Sequence, residues 1–96
     1  MQSYDPQVQA FLASRATEAR PLYTIAHDIR RDWRKPYFGA VPYLQAMETL
    51  TSISDNYYAD SARSVVLYFL SNALTWRGPV ARAIKAELNA MLKAVP

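Results

Sequence analysis

Apolar and polar residues follow a helical spacing along most of the chain, most clearly over residues 18–33. The apolar positions there recur three or four residues apart and so share one helical face: Leu22, Ile25, Ala26, Ile29 and Trp33. Because proline is tolerated only in the first helical turn, Pro21 predicts a start near residue 18, with Thr17 as the N-cap. Lys35-Pro36 ends this helix, since the residue before a proline is pushed out of the helical region.

Two shorter helices are predicted on either side of this one. Asp5-Pro6 is a favourable helix start, and the first helix is expected to end near Ser14. Pro42 opens the third helix, whose apolar residues are Tyr43, Leu44, Met47 and Leu50. The polar segment 52–58 then predicts the longest connection between helices.

The fourth predicted helix runs from an N-cap at Asp60 to about Thr75. Residues 65–70 are all apolar, so this helix is expected to be central and buried around most of its circumference. Val65 and Val66 would also suit a strand. No second strand candidate is present to pair with such a strand, and the pattern therefore favours a helix.

Gly78-Pro79 separates the fourth helix from a fifth, with glycine as the cap and proline at the first helical position. Its apolar face comprises Val80, Ile84, Leu88, Met91, Leu92 and Val95. Its polar face comprises Arg82, Lys85, Asn89 and Lys93. The pattern predicts an all-α fold: one compact domain over residues 1–96 with three main helices and two short ones, in which residues 1–17 form a peripheral helix.

Composition narrows the class of protein. The 96 residues are 51% hydrophobic and 20% charged and include no cysteine, which excludes a disulfide scaffold and thiolate metal sites. The longest apolar run, Val65 to Leu70, is far shorter than the ~20 residues of a membrane span. Residues 1–9 show no secretory signal. We therefore expect a cytoplasmic protein that has no membrane partner.

The net charge of +3 comes from one short segment. Residues 30–35 hold four bases and one acid, while the remaining seven bases and seven acids cancel. A single local patch supplies few phosphate contacts, so general nucleic-acid coating is disfavoured and a specific docking position is favoured.

Sequence motifs for catalysis are missing. His27 is the only histidine, so no two-histidine metal motif can form, and Gly39 and Gly78 are isolated rather than part of a phosphate-binding loop. A triad built on His27 and Asp28 is disfavoured against a surface histidine. The acids Asp55 and Asp60 do not have the spacing of a calcium loop. The sequence predicts a protein that is not an enzyme and has no cofactor or metal.

Three places combine aromatic and basic residues in the manner of recognition surfaces. Each also has a structural interpretation: charges that complement a helix dipole, a tyrosine that closes over a helix end, and an arginine that caps helix carbonyls. Trp33 in particular is expected in the core. The candidate partner-binding residues are Arg30, Arg31, Arg34, Lys35, Tyr37, Phe38, Tyr57, Tyr58, Trp76 and Arg77.

Longer stretches of the chain resemble a known group of proteins. These are RPLYTIAHDIRRDW (20–33), PYFGAVPYLQAM (36–47), ISDNYYADSARSVVLYFLSNALTWRG (53–78) and ARAIKAEL (81–88). Over about residues 20–93 the chain resembles a family of small helical proteins encoded by actinobacteriophages, including mycobacteriophages. It departs from that family at Thr24, where an acid is usual, which leaves the role of this position open.

The resemblance implies a phage product made in the host bacterial cytoplasm, and it brings neither a catalytic motif nor a cofactor. We expect a non-catalytic accessory protein that docks on a host or phage protein. The alternatives are a small nucleic-acid-binding protein that uses residues 30–35 and, less favoured, a minor virion component. A homodimer through the alanine-rich fifth helix or through the first helix stays open.

Overall fold

The backbone of residues 19–94, the part of the chain that the computed structural model describes, is mostly helical with one small hairpin. In chain order the α-helices are α1 (Leu22–Asp32), α2 (Val41–Met47), α3 (Ala62–Ser71) and α4 (Pro79–Ala94). A 3₁₀ turn over Phe38–Ala40 leads into α2, and the strands β1 (Asn56–Tyr57) and β2 (Asp60–Ser61) precede α3. The predicted first helix, Thr17 and Val95 lie outside the described residues.

Helix α1 buries the face that its spacing predicts: Leu22, Ile25, Ala26 and Ile29 are fully buried. It begins at Leu22 rather than near residue 18, because Pro21 has an extended backbone (ψ 142°) and stands before the first turn. The first amides of the helix are satisfied by tertiary contacts. The N–H groups of Leu22 and Tyr23 donate to the carbonyls of Thr51 and Leu50.

The segment between α2 and α3 corrects the prediction of an all-α chain without strands. Strand β1 pairs with β2 in an antiparallel two-stranded sheet, and a two-residue turn joins them. Ser61 rather than Asp60 is the N-cap of α3, because its Oγ accepts a hydrogen bond from the N–H of Ser64. A short polar hairpin of this kind has no hydrophobic alternation to reveal it.

Helix α3 is buried on one side only, so the prediction of a central helix buried around most of its circumference is wrong. Ala62, Val65, Val66 and Phe69 are buried, whereas Leu67 and Tyr68 are 46% and 53% exposed. The helix also ends at Ser71 instead of about Thr75, with a turn over the next residues.

Helix α4 starts at Pro79, as the glycine–proline pair predicts. Gly78 precedes it with φ +112°, a conformation that favours glycine. The buried residues are Ala81, Ile84, Leu88, Met91 and Leu92. Val80 is the exception to the predicted apolar face, since it is 40% exposed at the start of the helix.

The four helices pack in a ring around one apolar core. Each contacts the next along the chain, and α4 returns to pack on α1. No polar or charged residue is buried in the described part of the chain. No helix within residues 19–94 is long and apolar enough to cross a membrane.

Arg20 fastens the start of α1 to α4. Its Nε and Nη2 donate to the two carboxylate oxygens of Glu87 at 2.9 and 2.8 Å, and its Nη1 donates to Asp28 at 2.7 Å. The hydrogen bonds to Glu87 raise the pKa of Arg20 against the opposing effect of burial. Nothing in the local sequence pattern predicts this contact, because 67 residues separate the partners.

Candidate functional site

Trp33 and Trp76 meet at the C-terminal end of α1. Their rings stack at 5.7 Å with an angle of 10° between the planes, and the ring of Phe69 contacts both edge to face. Trp33 therefore packs against the core, as the sequence predicts. Trp76 is only 2% exposed, which removes it from the candidate partner-binding residues, because a buried ring offers no surface to a partner.

Two charged groups hold Trp76 in this position. Its Nε1 donates to Asp32 at 2.8 Å, and the ammonium of Lys85 donates to its backbone carbonyl at 2.7 Å. Burial lowers the pKa of Lys85, and the nearby charge of Arg77 lowers it further. Arg77 itself is exposed, so of the predicted Trp76–Arg77 pair only the arginine lies at the surface.

The four bases of segment 30–35 have different surroundings. Arg30 is paired with Glu48 at 2.8 Å, and Arg31 approaches Asp28 only at 3.8 Å. Arg34 and Lys35 are exposed and have no ion pair among the described residues. The structure thus divides the predicted patch into one neutralised base, one loosely paired base and two available cations.

Tyr37 and Phe38 follow these cations after Pro36, and their ring centroids lie 4.8 Å apart. Phe38 is 79% exposed and Tyr37 is 46% exposed. The ring of Tyr37 lies over Gly39: a Cβ added to that glycine would stand 2.5 Å from Tyr37 Cε2 and 2.8 Å from the side-chain oxygen of Asn72. Gly39 therefore lets the tyrosine ring lie close to the backbone of the 3₁₀ turn, beside Asn72 at the end of α3.

We name Arg31, Arg34, Lys35, Tyr37 and Phe38 the basic–aromatic corner. Within eight residues of the chain it combines the loosely paired Arg31, the exposed cations Arg34 and Lys35 and two exposed aromatic rings. Lysine and arginine there could contact acidic groups, and the rings could be buried against apolar ones.

The Tyr57–Tyr58 pair lies in the hairpin before α3, separate from the corner. Tyr57 packs against the core, whereas Tyr58 is 90% exposed with φ +55°. The two interpretations of the sequence therefore apply to one residue each: Tyr57 is structural and Tyr58 is presented to solvent.

Asp55 acts as a turn residue, as the sequence predicts. The N–H groups of Ser52 and Thr51 donate to its carboxylate, and these hydrogen bonds, the one from Ser52 first, lower the pKa of Asp55.

His27 is exposed on α1 and lines a shallow groove with Tyr23, Thr24 and Glu48. No serine lines that groove. Among residues 19–94, no three histidine or acidic side chains are grouped so that they could hold a metal ion.

Sequence reasoning missed two features. One is a groove of about 490 Å³ between α1 and α4, in which each lining charged side chain already has a partner in the described chain: Arg20, Asp28, Arg31 and Asp32. The other is the exposed side of α3, where Tyr68 contacts Tyr43 at 5.5 Å. The even distribution of apolar residues around α3 concealed its exposed side.

Comparison of the chain with models of protein families, with curated proteins and with solved structures gives no match. The resemblance to a family of actinobacteriophage proteins stays a prediction, because none of these comparisons tests it.

Proposed function

We propose that this chain is a non-catalytic interaction protein that docks on a host or phage protein through the basic–aromatic corner. In line with the resemblance described above, the proposed place of action is the cytoplasm of an actinobacterial host. The observation that carries the proposal is the 79% exposure of Phe38, three residues after the exposed pair Arg34-Lys35.

The exposed Phe38 ring supports a binding surface because its burial against a partner would be favourable. Transfer of a phenylalanine side chain out of water contributes roughly 1.5–3 kcal/mol, and aromatic and arginine side chains are enriched where partners bind tightly. Tyr37 supports the Phe38 ring from one side. A partner would complete the burial from the other side.

The cations give the proposed partner a chemical character. Arg34 and Lys35 bring two positive charges beside the rings, and the acidic Glu48 is paired with Arg30. Asp32, the acid in the same segment, accepts a hydrogen bond from Trp76 Nε1, so an acidic group on the partner would meet a net positive charge at this corner.

Site-specific photo-crosslinking tests the proposal. Phe38 is replaced by p-benzoylphenylalanine, and the matched control carries the same group at Tyr58, which is at least as exposed as Phe38 but lies in the hairpin. After irradiation in lysate of a phage-infected actinobacterial host, we expect one discrete protein adduct at position 38 and none of the same mass at position 58. Arg34→Ser together with Lys35→Ser should weaken that adduct.

Identical adduct patterns at both positions, or none at position 38, would overturn the proposal. Mass spectrometry of the adduct identifies the partner and shows whether it comes from the host or the phage.

Nucleic-acid binding is the second candidate, supported by two exposed rings that follow Arg31, Arg34 and Lys35 closely in the chain. Such a site would stack bases on Tyr37 and Phe38. Three phosphate contacts predict that affinity for a single-stranded oligothymidine falls about twentyfold between 50 and 200 mM salt. If the fluorescence anisotropy of the oligothymidine does not change when micromolar protein is added at low salt, this candidate is excluded.

A further inference from the structure

The outward side of α3 and the turn after it form a surface without charge. Residues 64–76 include no acidic or basic side chain. Leu67, Tyr68 and Leu74 are 46%, 53% and 74% exposed. Leu67 and Ser71 are one helical turn apart on α3, and Leu74 follows in the turn after the helix, where the N–H of Ala73 donates to the Leu70 carbonyl at 3.3 Å. We name Leu67, Tyr68, Ser71 and Leu74 the uncharged face.

Polar side chains beside this face are turned to the helix backbone. The hydroxyl of Ser71 donates to the carbonyl of Leu67 at 3.0 Å, and the amide of Asn72 donates to that of Tyr68 at 2.8 Å. Both donors are used within the helix. The face therefore has the depletion of charge that distinguishes the centre of a protein interface.

The exposed area is compatible with a small interface. On a scale of roughly 200 Å² for a fully exposed large side chain, the three apolar residues contribute on the order of 350 Å². Two copies would together bury about 700 Å² of these side chains, less than a standard interface, so the association is expected to be weak and dependent on concentration.

The two ends of the face carry opposite charges. Asp60 is exposed in the hairpin that precedes α3, and Arg77 is exposed three residues after Leu74. If a second copy packs its α3 antiparallel to the first, a two-fold axis brings Asp60 of each copy to Arg77 of the other. Arg63 in the first turn of α3 donates to the carbonyl of Leu92 on α4 at 2.6 Å and is therefore directed toward α4. The face is thus complementary to itself in charge through Asp60 and Arg77.

We propose that the uncharged face is the interface of a symmetric homodimer in which two α3 helices pack antiparallel. The interface is isologous, so every favourable contact occurs twice. This surface differs from the basic–aromatic corner, and the dimer does not depend on the function proposed above. It also differs from the fifth-helix dimer that the sequence left open.

Sedimentation equilibrium at concentrations about a hundredfold apart measures the dimer directly. We expect a concentration-dependent mass between one and two chains. Leu74→Ser should raise the dissociation constant by about tenfold or more, because each dimer loses two buried leucine side chains. Val80→Ser, which removes an exposed apolar side chain from α4, is the matched control and should change the constant by less than about twofold.

A charge exchange tests the antiparallel arrangement. Asp60→Lys and Arg77→Glu should each weaken the dimer by about threefold to tenfold, since each single variant opposes like charges twice. An equimolar mixture of the two variants should restore the wild-type constant, because every opposed pair is then attractive. Circular dichroism confirms that the variants keep their helices.

A monomer at every concentration overturns the homodimer. A dimer that Val80→Ser weakens and Leu74→Ser does not would place the interface on α4, and it likewise overturns the proposal. Failure of the mixture to regain affinity excludes the antiparallel packing.

Discussion

Tyr58 holds a backbone conformation that suits glycine better than tyrosine. It is the first of the two residues that connect β1 to β2, and its φ of +55° is the only positive value at a non-glycine residue in the described chain. A positive φ at the first position of a two-residue hairpin turn favours glycine there. The tyrosine remains there although its ring is 90% exposed; the ring contacts Tyr57 edge to face.

Replacement of this residue should therefore stabilise the protein. We expect Tyr58→Gly to increase the free energy of unfolding by about 1 kcal/mol, because the left-handed conformation costs an L-residue about 1–2 kcal/mol. Ala59→Gly is the control: Ala59 has no positive φ, so glycine adds only unfolded-state entropy and should lower the stability. Urea denaturation of both variants measures whether the free energy of unfolding rises in Tyr58→Gly and falls in Ala59→Gly. Loss of stability in Tyr58→Gly would contradict the proposed strain.

Trp76 illustrates what local sequence cannot tell about one residue. Beside Arg77 and just before Gly78, it has the neighbours of either a surface anchor or a core residue. Stacking on Trp33 and the bond to Asp32 decide in favour of the core, and both partners lie more than forty residues away in the chain.

Elements differ in how much of their burial the sequence predicts. Helix α1 has a single apolar stripe, and the structure buries that stripe. Helix α3 has apolar residues on all sides, so its pattern could not indicate which side faces solvent. Packing of α2 and α4 against α3 decides this, and it leaves Leu67 and Tyr68 outside.

The Arg20 contacts connect two elements, and their strength can be measured. Arg20→Leu removes three charge-assisted hydrogen bonds to Glu87 and Asp28, and we expect it to lower the free energy of unfolding by about 2 kcal/mol. Arg30→Leu removes an ion pair with Glu48 whose side chains are 36% and 40% exposed, and it should cost at most about 0.5 kcal/mol.

Urea denaturation at low and high salt compares the two variants. Equal losses of stability would show that the partial burial of the Arg20 cluster, where Glu87 is only 12% exposed, has no consequence for its strength.

At the scale of the whole molecule, the ring of four helices separates two candidate surfaces. The basic–aromatic corner follows α1, and the uncharged face covers α3. Tyr37 lies between them, since its ring approaches Asn72 across Gly39.

Variants at the two surfaces should therefore act independently. We expect Phe38→Ser to abolish capture of the partner, measured with a photo-crosslinker placed at Lys35. The same variant should raise the dimer dissociation constant by no more than about twofold. Leu74→Ser should weaken the dimer and leave the adduct in place. Simultaneous loss of both properties in either variant would show that the corner and the face form one surface.

The sequence by itself determined the mainly helical class, the buried stripe of α1, the start of α4 at Gly78-Pro79 and the position of the excess charge. These follow from spacing, from proline and glycine stereochemistry and from charge, which are local properties. Only the tertiary structure decided that Trp76 is buried, that Arg30 is neutralised by Glu48 and that α3 exposes an uncharged side. Contacts between residues distant in the chain fix these features, and no local pattern specifies which distant side chains will meet.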